Sequence, residues 1–132
     1  MTIKYKLVRQ ASPGIKGGGD YKYYARACER RKIKLNEVAL ILSERSTLSR
    51  ADIVATLTGF VDLIPELLLD NYSVELGELG LFSLNMSSEA ADVPRPDSYR
   101  LIKDVKISFR PSVYLKRALL SPQFEKSKTS GY

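Results

Sequence analysis

The stretch VELGELGLFSLNM, residues 74–86, decides the fold. Its apolar residues alternate with polar or small ones in two short runs, residues 74–76 and 82–86, and this period of two predicts two half-buried β-strands. Gly77 and Gly80 lie between the runs and favour a tight turn, because glycine adopts backbone conformations that other residues avoid. The stretch is therefore predicted to be a β-hairpin.

Two helices are predicted before this hairpin. Asn36 is a suitable N-cap for a first helix over residues 37–45. Ser49, with Asp52 three residues later, resembles the capping box of a second helix, and Asn71 can end that helix in a left-handed conformation. The second helix presents one broad apolar stripe that should be buried, made of Ile53, Val54, Leu57, Phe60, Val61, Ile64 and Leu68.

A returning strand and a short helix are predicted after the hairpin. Residues 87–98 show no strong pattern, whereas residues 105–109 alternate apolar side chains with basic or small ones. This alternation predicts a strand with one apolar and one basic face. Pro111 and Ser112 can start a final short helix, which Pro122 should end. The polar tail over residues 122–132 is predicted to be mobile.

The N-terminal third predicts a second hairpin. Residues 3–8 and 21–28 alternate with a period of two, and the glycine-rich residues 12–19 predict a flexible turn between them. Residues 33–35 suggest a short third strand. The tyrosines interleaved with Lys and Arg can stack on nucleic-acid bases, or can form cross-strand aromatic pairs beside charged edges; both interpretations stay open. Strands and helices together predict the α+β class.

The charge of the 132-residue chain is divided among three regions. Residues 1–36 carry ten Lys or Arg and two acidic residues, residues 37–98 carry three and eleven, and residues 99–132 carry eight and two. The net charge of +6 therefore comes from two basic ends around an acidic middle. Such ends suit nucleic-acid binding, and they equally suit strands that are kept soluble by lysine-rich edges.

The composition argues against catalysis and against metal binding. The chain has no histidine, the commonest general base and transition-metal ligand, and its single cysteine, Cys28, can form neither a zinc site nor an internal disulfide. The glycine triplet at residues 17–19 lacks the Lys-Ser/Thr of a phosphate-binding loop. We therefore expect no enzyme activity, cofactor or metal. Since no apolar run reaches the roughly 20 residues of a membrane helix, we expect a cytoplasmic protein.

Three stretches resemble the bacterial histone-like HU/IHF family of DNA-binding proteins. VELGELGLF is similar to the family's Val-x-Leu-x-Gly-Phe-Gly-Thr-Phe hairpin, SERSTLSRADI to its junction between the two helices, and FRPSVYLKRAL to its Phe-Lys-Pro-Gly-Lys-x-Leu-Lys. Gly80 matches the second family glycine, while Gly77 stands one residue before the first. The basic N-terminal extension resembles longer HU-like variants of the Bacteroides group.

The resemblance implies a particular architecture. Residues 1–35 would form a basic β-strand extension packed on the core, residues 36–121 an HU/IHF-like domain, and residues 122–132 a flexible tail. That domain would contain two helices, a β-hairpin with a protruding arm, a returning strand and a short C-terminal helix. Protomers would associate as a homodimer through Leu57, Phe60, Val61, Ile64, Phe82 and Phe109.

The resemblance also implies largely sequence-independent binding of double-stranded DNA in the nucleoid, without small-molecule substrates or membranes. The expected phosphate contacts in the HU-like domain are Arg95, Arg100, Lys103, Lys106, Arg110 and Lys116. The extension is not part of that resemblance to ordinary HU; since the arm has few cations while residues 1–34 hold ten, we expect the extension to replace the arm's contacts through Arg26, Arg30, Arg31 and Lys32.

The predicted arm departs from the family pattern. It carries Glu89, Asp92 and Asp97 and lacks the family's Asn-Pro wedge, so we expect weak DNA bending. An HU-fold dimeric scaffold with weak or no DNA binding is the alternative function. RNA or single-strand binding through the tyrosine-rich N-terminus is a further variant.

Overall fold

The computed structural model describes residues 1–11 and 21–128, so the turn predicted at residues 12–19 lies outside the described residues. Contacts divide the chain into two units, which we call the sheet unit (Met1–Ile33 with Leu120–Tyr132) and the helical unit (Lys34–Leu119). The chain is a mixed α+β protein, as predicted. Its elements in chain order are β1 (Ile3–Ala11), β2 (Tyr21–Ala27), α1 (Leu35–Glu44), α2 (Arg50–Leu69), β3 (Val74–Glu75), β4 (Gly80–Ser88), a 3-10 turn (Ser98–Leu101), β5 (Ile102–Pro111), α3 (Val113–Ala118) and β6 (Phe124–Lys126).

The sheet unit is a three-stranded sheet in the order β2-β1-β6. The central strand β1 pairs antiparallel with β2, as the alternating sequence predicts, and parallel with β6. Two backbone hydrogen bonds of 2.8 Å hold β6 in place, from the amide of Ile3 to the carbonyl of Gln123 and from the amide of Ser127 to the carbonyl of Tyr5. The two ends of the chain therefore form one sheet.

The pairing of β6 corrects the prediction of a mobile tail for residues 124–127. Ser127 is buried, and its hydroxyl donates a 2.5 Å hydrogen bond to the carboxylate of Glu29. The same carboxylate lies 3.1 Å from the ammonium group of Lys4. The hydrogen bond and the charge of Glu29 raise the pKa of Lys4 above its ordinary value. The partner of β6 lies at the other end of the chain, so local pattern could not predict this strand.

The start of the helical unit differs from the sequence prediction at two points. Residues 33–35 form no strand, because Leu35 is already the first residue of α1. The N-cap is Lys34 rather than Asn36, and no side chain caps this helix end. The extended backbone of Lys34 supplies the cap, and its carbonyl accepts the amide of Val38 at 3.1 Å. Asn36 therefore lies inside the first turn.

The second helix agrees closely with its prediction. Ser49 is the N-cap of α2, and its hydroxyl accepts a 3.1 Å hydrogen bond from the amide of Asp52. At the other end, Asn71 has a φ of 68°, the left-handed conformation that ends the helix. The apolar stripe packs on α1 and β4, although only Ala39, Ile53 and Leu68 are buried hydrophobic residues among those described. The described core of the chain is small.

The hairpin turn depends on two glycines with positive φ. Gly77 has a φ of 50° and Gly80 a φ of 148°, and the amide of Leu76 donates to the carbonyl of Gly80 at 2.9 Å. A Cβ added to Gly80 would lie 2.3 Å from the carbonyl oxygen of Arg110 and 2.8 Å from the ring of Phe109. Only glycine allows β4 to begin this close to β5.

Gly80→Ala should destabilise the helical unit by about 2–5 kcal/mol. The alanine Cβ would overlap the carbonyl oxygen of Arg110, and the positive φ at this position would strain the backbone of alanine. Gly59→Ala is the matched control. Gly59 lies within α2, and an added Cβ would meet nothing within 4 Å. Alanine there should stabilise the helix by roughly 0.5–1 kcal/mol. Urea unfolding followed by circular dichroism measures both changes; equal stabilities would contradict the role assigned to Gly80.

Candidate nucleic-acid interface

The antiparallel ladder of β4 and β5 sorts its side chains onto two chemically different faces. Residues directly opposite each other in such a ladder point to the same side. One side therefore carries the pairs Phe82–Phe109, Leu84–Ile107 and Met86–Val105. The other carries Leu81–Arg110, Ser83–Ser108, Asn85–Lys106 and Ser87–Asp104. We call these the apolar face and the polar face.

The apolar face is only partly covered by the rest of the chain. The rings of Phe82 and Phe109 pack with their centroids 4.8 Å apart. Farther along the ladder, Ile107 is 56% exposed and Met86 is 65% exposed. On α2, Leu57, Phe60 and Ile64 are half-buried, but Val61 is 70% exposed. All six side chains that the sequence proposes for a dimer interface thus lie in the helical unit, in α2 or on the apolar face.

Lys106 and Arg110 both lie on the polar face. They lie four residues apart on β5, a distance of roughly 13 Å along a strand. Lys106 stands opposite Asn85 and Arg110 opposite Leu81, and both cations are exposed. No carboxylate among residues 1–11 and 21–128 forms an ion pair with either of them. Their charges are available to an external anion.

Three other predicted cations are already neutralised by acidic neighbours. Two of them, Arg95 and Arg100, lie between β4 and β5, and the third, Lys103, lies at the start of β5. Arg95 forms hydrogen bonds of 3.2 and 3.1 Å with the two carboxylate oxygens of Asp97. Arg100 lies 3.9 Å from the same carboxylate, and the ammonium group of Lys103 lies 3.7 Å from Glu89. Any phosphate contact by these side chains must compete with an ion pair that already exists.

Lys116 occupies the last turn of α3, next to Arg117. Ser112 caps this helix, as predicted, by accepting the amide of Leu115 at 3.2 Å, and its hydroxyl donates to the carbonyl of Glu78. The cap therefore ties α3 to the hairpin turn. Cations at a helix C-terminus interact favourably with the helix dipole, so Lys116 and Arg117 also have a structural role.

The predicted cations of the extension lie in the sheet unit. Arg26 belongs to β2 and donates a 3.0 Å hydrogen bond to the side-chain oxygen of Gln10. Arg30, Arg31 and Lys32 follow in the irregular segment between β2 and α1. The register also places Lys6 directly opposite Arg26, and Lys22 opposite Gln10. The sequence analysis missed Lys6 and Lys22. The alternation along β2 already places Lys22 on the same face as Arg26, but only the register shows that Lys6 shares that face.

The described part of the chain contains neither a candidate metal-binding cluster nor a helix suited to crossing a membrane. Residues 1–11 and 21–128 bring together no group of three Cys, Asp or Glu side chains that could hold a metal ion. Within the same ranges, no helix combines the length and the apolar character that crossing a membrane requires.

Comparison with known proteins gives a family match and a structural match. Residues 1–126 match the family model HU-HIG, described as an HU domain fused to wHTH, Ig, or glycine-rich motif. A crystal structure from Bacteroides vulgatus ATCC 8482, of a protein provisionally described as a bacterial DNA-binding protein, superposes with a TM-score of 0.64 at 11% identity. The superposition covers 98% of this chain and 49% of the other, so this chain spans about half the length of that protein. No curated protein matches the sequence.

Proposed function

Because the chain belongs to the HU-HIG family of HU domains, we propose that it is a nucleoid-associated DNA-binding protein of the bacterial cytoplasm. It acts as a homodimer and holds double-stranded DNA through the phosphate backbone, largely independently of sequence. The observation that carries this proposal is the division of the β4–β5 ladder. One face is apolar and open, which suits a second copy of the chain. The other presents unpaired cations, which suits a polyanion.

The case for a homodimer rests on apolar surface that the protomer leaves exposed. Full burial of one large aliphatic side chain is worth about 1.5–3 kcal/mol, and the apolar face with α2 offers several that are half-buried or exposed. A twofold partner would cover the same patch on both protomers at once. The interface proposed from the sequence consists of Leu57, Phe60, Val61, Ile64, Phe82 and Phe109.

The case for phosphate contacts rests on exposed cations that form no ion pair with a described acidic side chain. Lys106 and Arg110 are exposed, share the polar face and have no acidic partner among the described residues, and Lys116 is also exposed. Contacts of this kind release counterions from DNA and carry no base sequence information. Secondary candidates are Arg95, Arg100 and Lys103, because each of them already forms an ion pair with an acidic side chain. The extension supplies a further group, Arg26, Arg30, Arg31 and Lys32.

A scaffold function is the second candidate, and the ion pairs of the segment between β4 and β5 favour it. Asp97 forms ion pairs with two arginines and Glu89 with a lysine, and residues 89–103 carry three acidic and three basic side chains, so this stretch offers no net positive charge to DNA. If the unmodified protein binds no duplex at about 50 mM salt, where phosphate contacts are strong, the scaffold function is correct.

Ile107→Asp should abolish the dimer, because a carboxylate would have to be buried between protomers without a partner. Light scattering at low micromolar concentration should give twice the 14.8 kDa chain mass for the unmodified protein, and monomer or unfolded chain for the variant. Asn85→Asp adds the same charge to the polar face and should leave the dimer intact. A stable 14.8 kDa monomer of the unmodified protein would refute the proposal.

Lys106→Glu with Arg110→Glu should weaken duplex binding by at least about tenfold, evenly across sequences, since phosphate contacts are lost. The matched control is Lys34→Glu with Arg50→Glu, which changes charge equally at two helix N-termini, where acidic side chains are favourable. Fluorescence anisotropy over a salt series measures both. Equal losses would assign the effect to net charge, and marked preference for one sequence would exclude non-specific binding.

Asp97→Asn should strengthen duplex binding about two- to fivefold at low salt, because it releases two arginines from exposed ion pairs worth roughly 0.2–1 kcal/mol each. Asp92→Asn removes the same charge from the same segment, and Asp92 forms no ion pair within the described ranges. If both variants gain equally, the ion pairs of Asp97 do not limit DNA binding.

A further inference from the structure

The sheet unit also has two chemically different faces. Opposite pairs in the β1–β2 ladder place Tyr5 with Ala27 and Leu7 with Ala25 on one side, and the parallel pairing adds Ile3 and Phe124 to that side. This side is aromatic and aliphatic. The other side, which we call the basic face, consists of Lys4, Lys6, Val8, Gln10, Lys22, Tyr24 and Arg26, with one acidic residue, Glu125, next to Lys4 on β6.

Three cations of the basic face form no ion pair with any residue that the structure describes. Lys4 shares their alternation, but it is paired with Glu29 at 3.1 Å. Lys6, Lys22 and Arg26 form no ion pair with any carboxylate of the described ranges. Arg26 donates to Gln10, whose side chain is a neutral amide, so the guanidinium keeps its full charge. Three positive charges thus remain on one side of one small sheet.

We propose that the basic face binds the phosphate backbone of duplex DNA, as a second contact surface in addition to that of the helical unit. This inference rests on the proposed function. Lys6 and Arg26 are direct cross-strand neighbours, with Cβ atoms about 4.5–5.5 Å apart. Lys22 lies four residues from Arg26 along β2, or roughly 13 Å, a length over which each DNA strand presents several phosphates.

The residues between the cations support the same assignment. Tyr24 lies between Lys22 and Arg26 on this face and is 42% exposed. Its hydroxyl can donate a hydrogen bond to a phosphate oxygen, a common backbone contact. The opposite face is a poorer surface for DNA, because its residues are mostly apolar, its Arg9 stacks on the ring of Tyr21 at 4.1 Å, and its Lys126 lies at the end of the short strand β6.

The test compares two variants of the full chain that lose identical residue types from opposite faces. Lys6→Gln with Arg26→Gln removes two charges from the basic face. Lys126→Gln with Arg9→Gln removes a lysine and an arginine from the other face, since Lys126 pairs with Tyr5 and Arg9 with Tyr23. Circular dichroism checks folding, and fluorescence anisotropy measures binding to one labelled duplex and to one of its strands.

The basic-face variant should bind the duplex at least tenfold more weakly, and its slope of log affinity against log salt should fall by about two phosphate contacts. The opposite-face variant should stay within about threefold of the unmodified protein. Equal losses in both variants would overturn the proposal in favour of a net-charge effect. A loss confined to the single strand would also overturn it and assign the face to single-stranded nucleic acid.

The Lys106→Glu, Arg110→Glu variant, measured in parallel, separates failure of this inference from failure of the proposed function. If it loses duplex binding while the basic-face variant does not, the helical unit is the DNA surface and the second surface is excluded. If the unmodified protein binds no duplex at about 50 mM salt, the proposed function and this inference both fail.

Discussion

The antiparallel pairing of β4 with β5 is the constraint on which the rest of the helical unit depends. The register sets Phe82 against Phe109 and Lys106 against Asn85, so a single ladder separates an apolar surface from a basic one. A shift of one residue would exchange the two faces and destroy both. Gly80 makes this register possible, because any side chain there would collide with the backbone of Arg110. The capped helix α3 is joined to the same turn through Ser112.

The distribution of charge in the structure differs from the distribution along the sequence. From the sequence alone, Arg95 and Arg100, which lie between β4 and β5, were expected to contact DNA. In the structure, the guanidinium groups of both arginines lie 3.1 and 3.9 Å from the carboxylate of Asp97. Five cations that form no ion pair with a described residue lie on regular strands instead: Lys106 and Arg110 in the helical unit, and Lys6, Lys22 and Arg26 in the sheet unit. Strands hold side chains in a fixed row, which suits contacts to a regular phosphate backbone.

The sheet unit shows how the two ends of the chain depend on each other. β1 would expose an unpaired edge without β6, and unpaired strand edges promote association with other chains. The buried hydroxyl of Ser127 and the carboxylate of Glu29 close this end of the sheet, and Lys4 completes the cluster. The N-terminal extension that the sequence treats as a hairpin is therefore a three-stranded sheet.

The sequence by itself determined the features that depend on near neighbours. It predicted α2 with its Ser49 cap and Asn71 end, the glycine turn, the strands β1, β2, β4 and β5, the Ser112 cap and membership of an HU-like family. Each follows from side chains within a few residues or from motif order. Only the tertiary structure decided the strand registers, the pairing of β6 and the ion pairs of Asp97. These depend on distances between groups far apart in the chain, or on side-chain geometry, which a one-dimensional pattern does not encode.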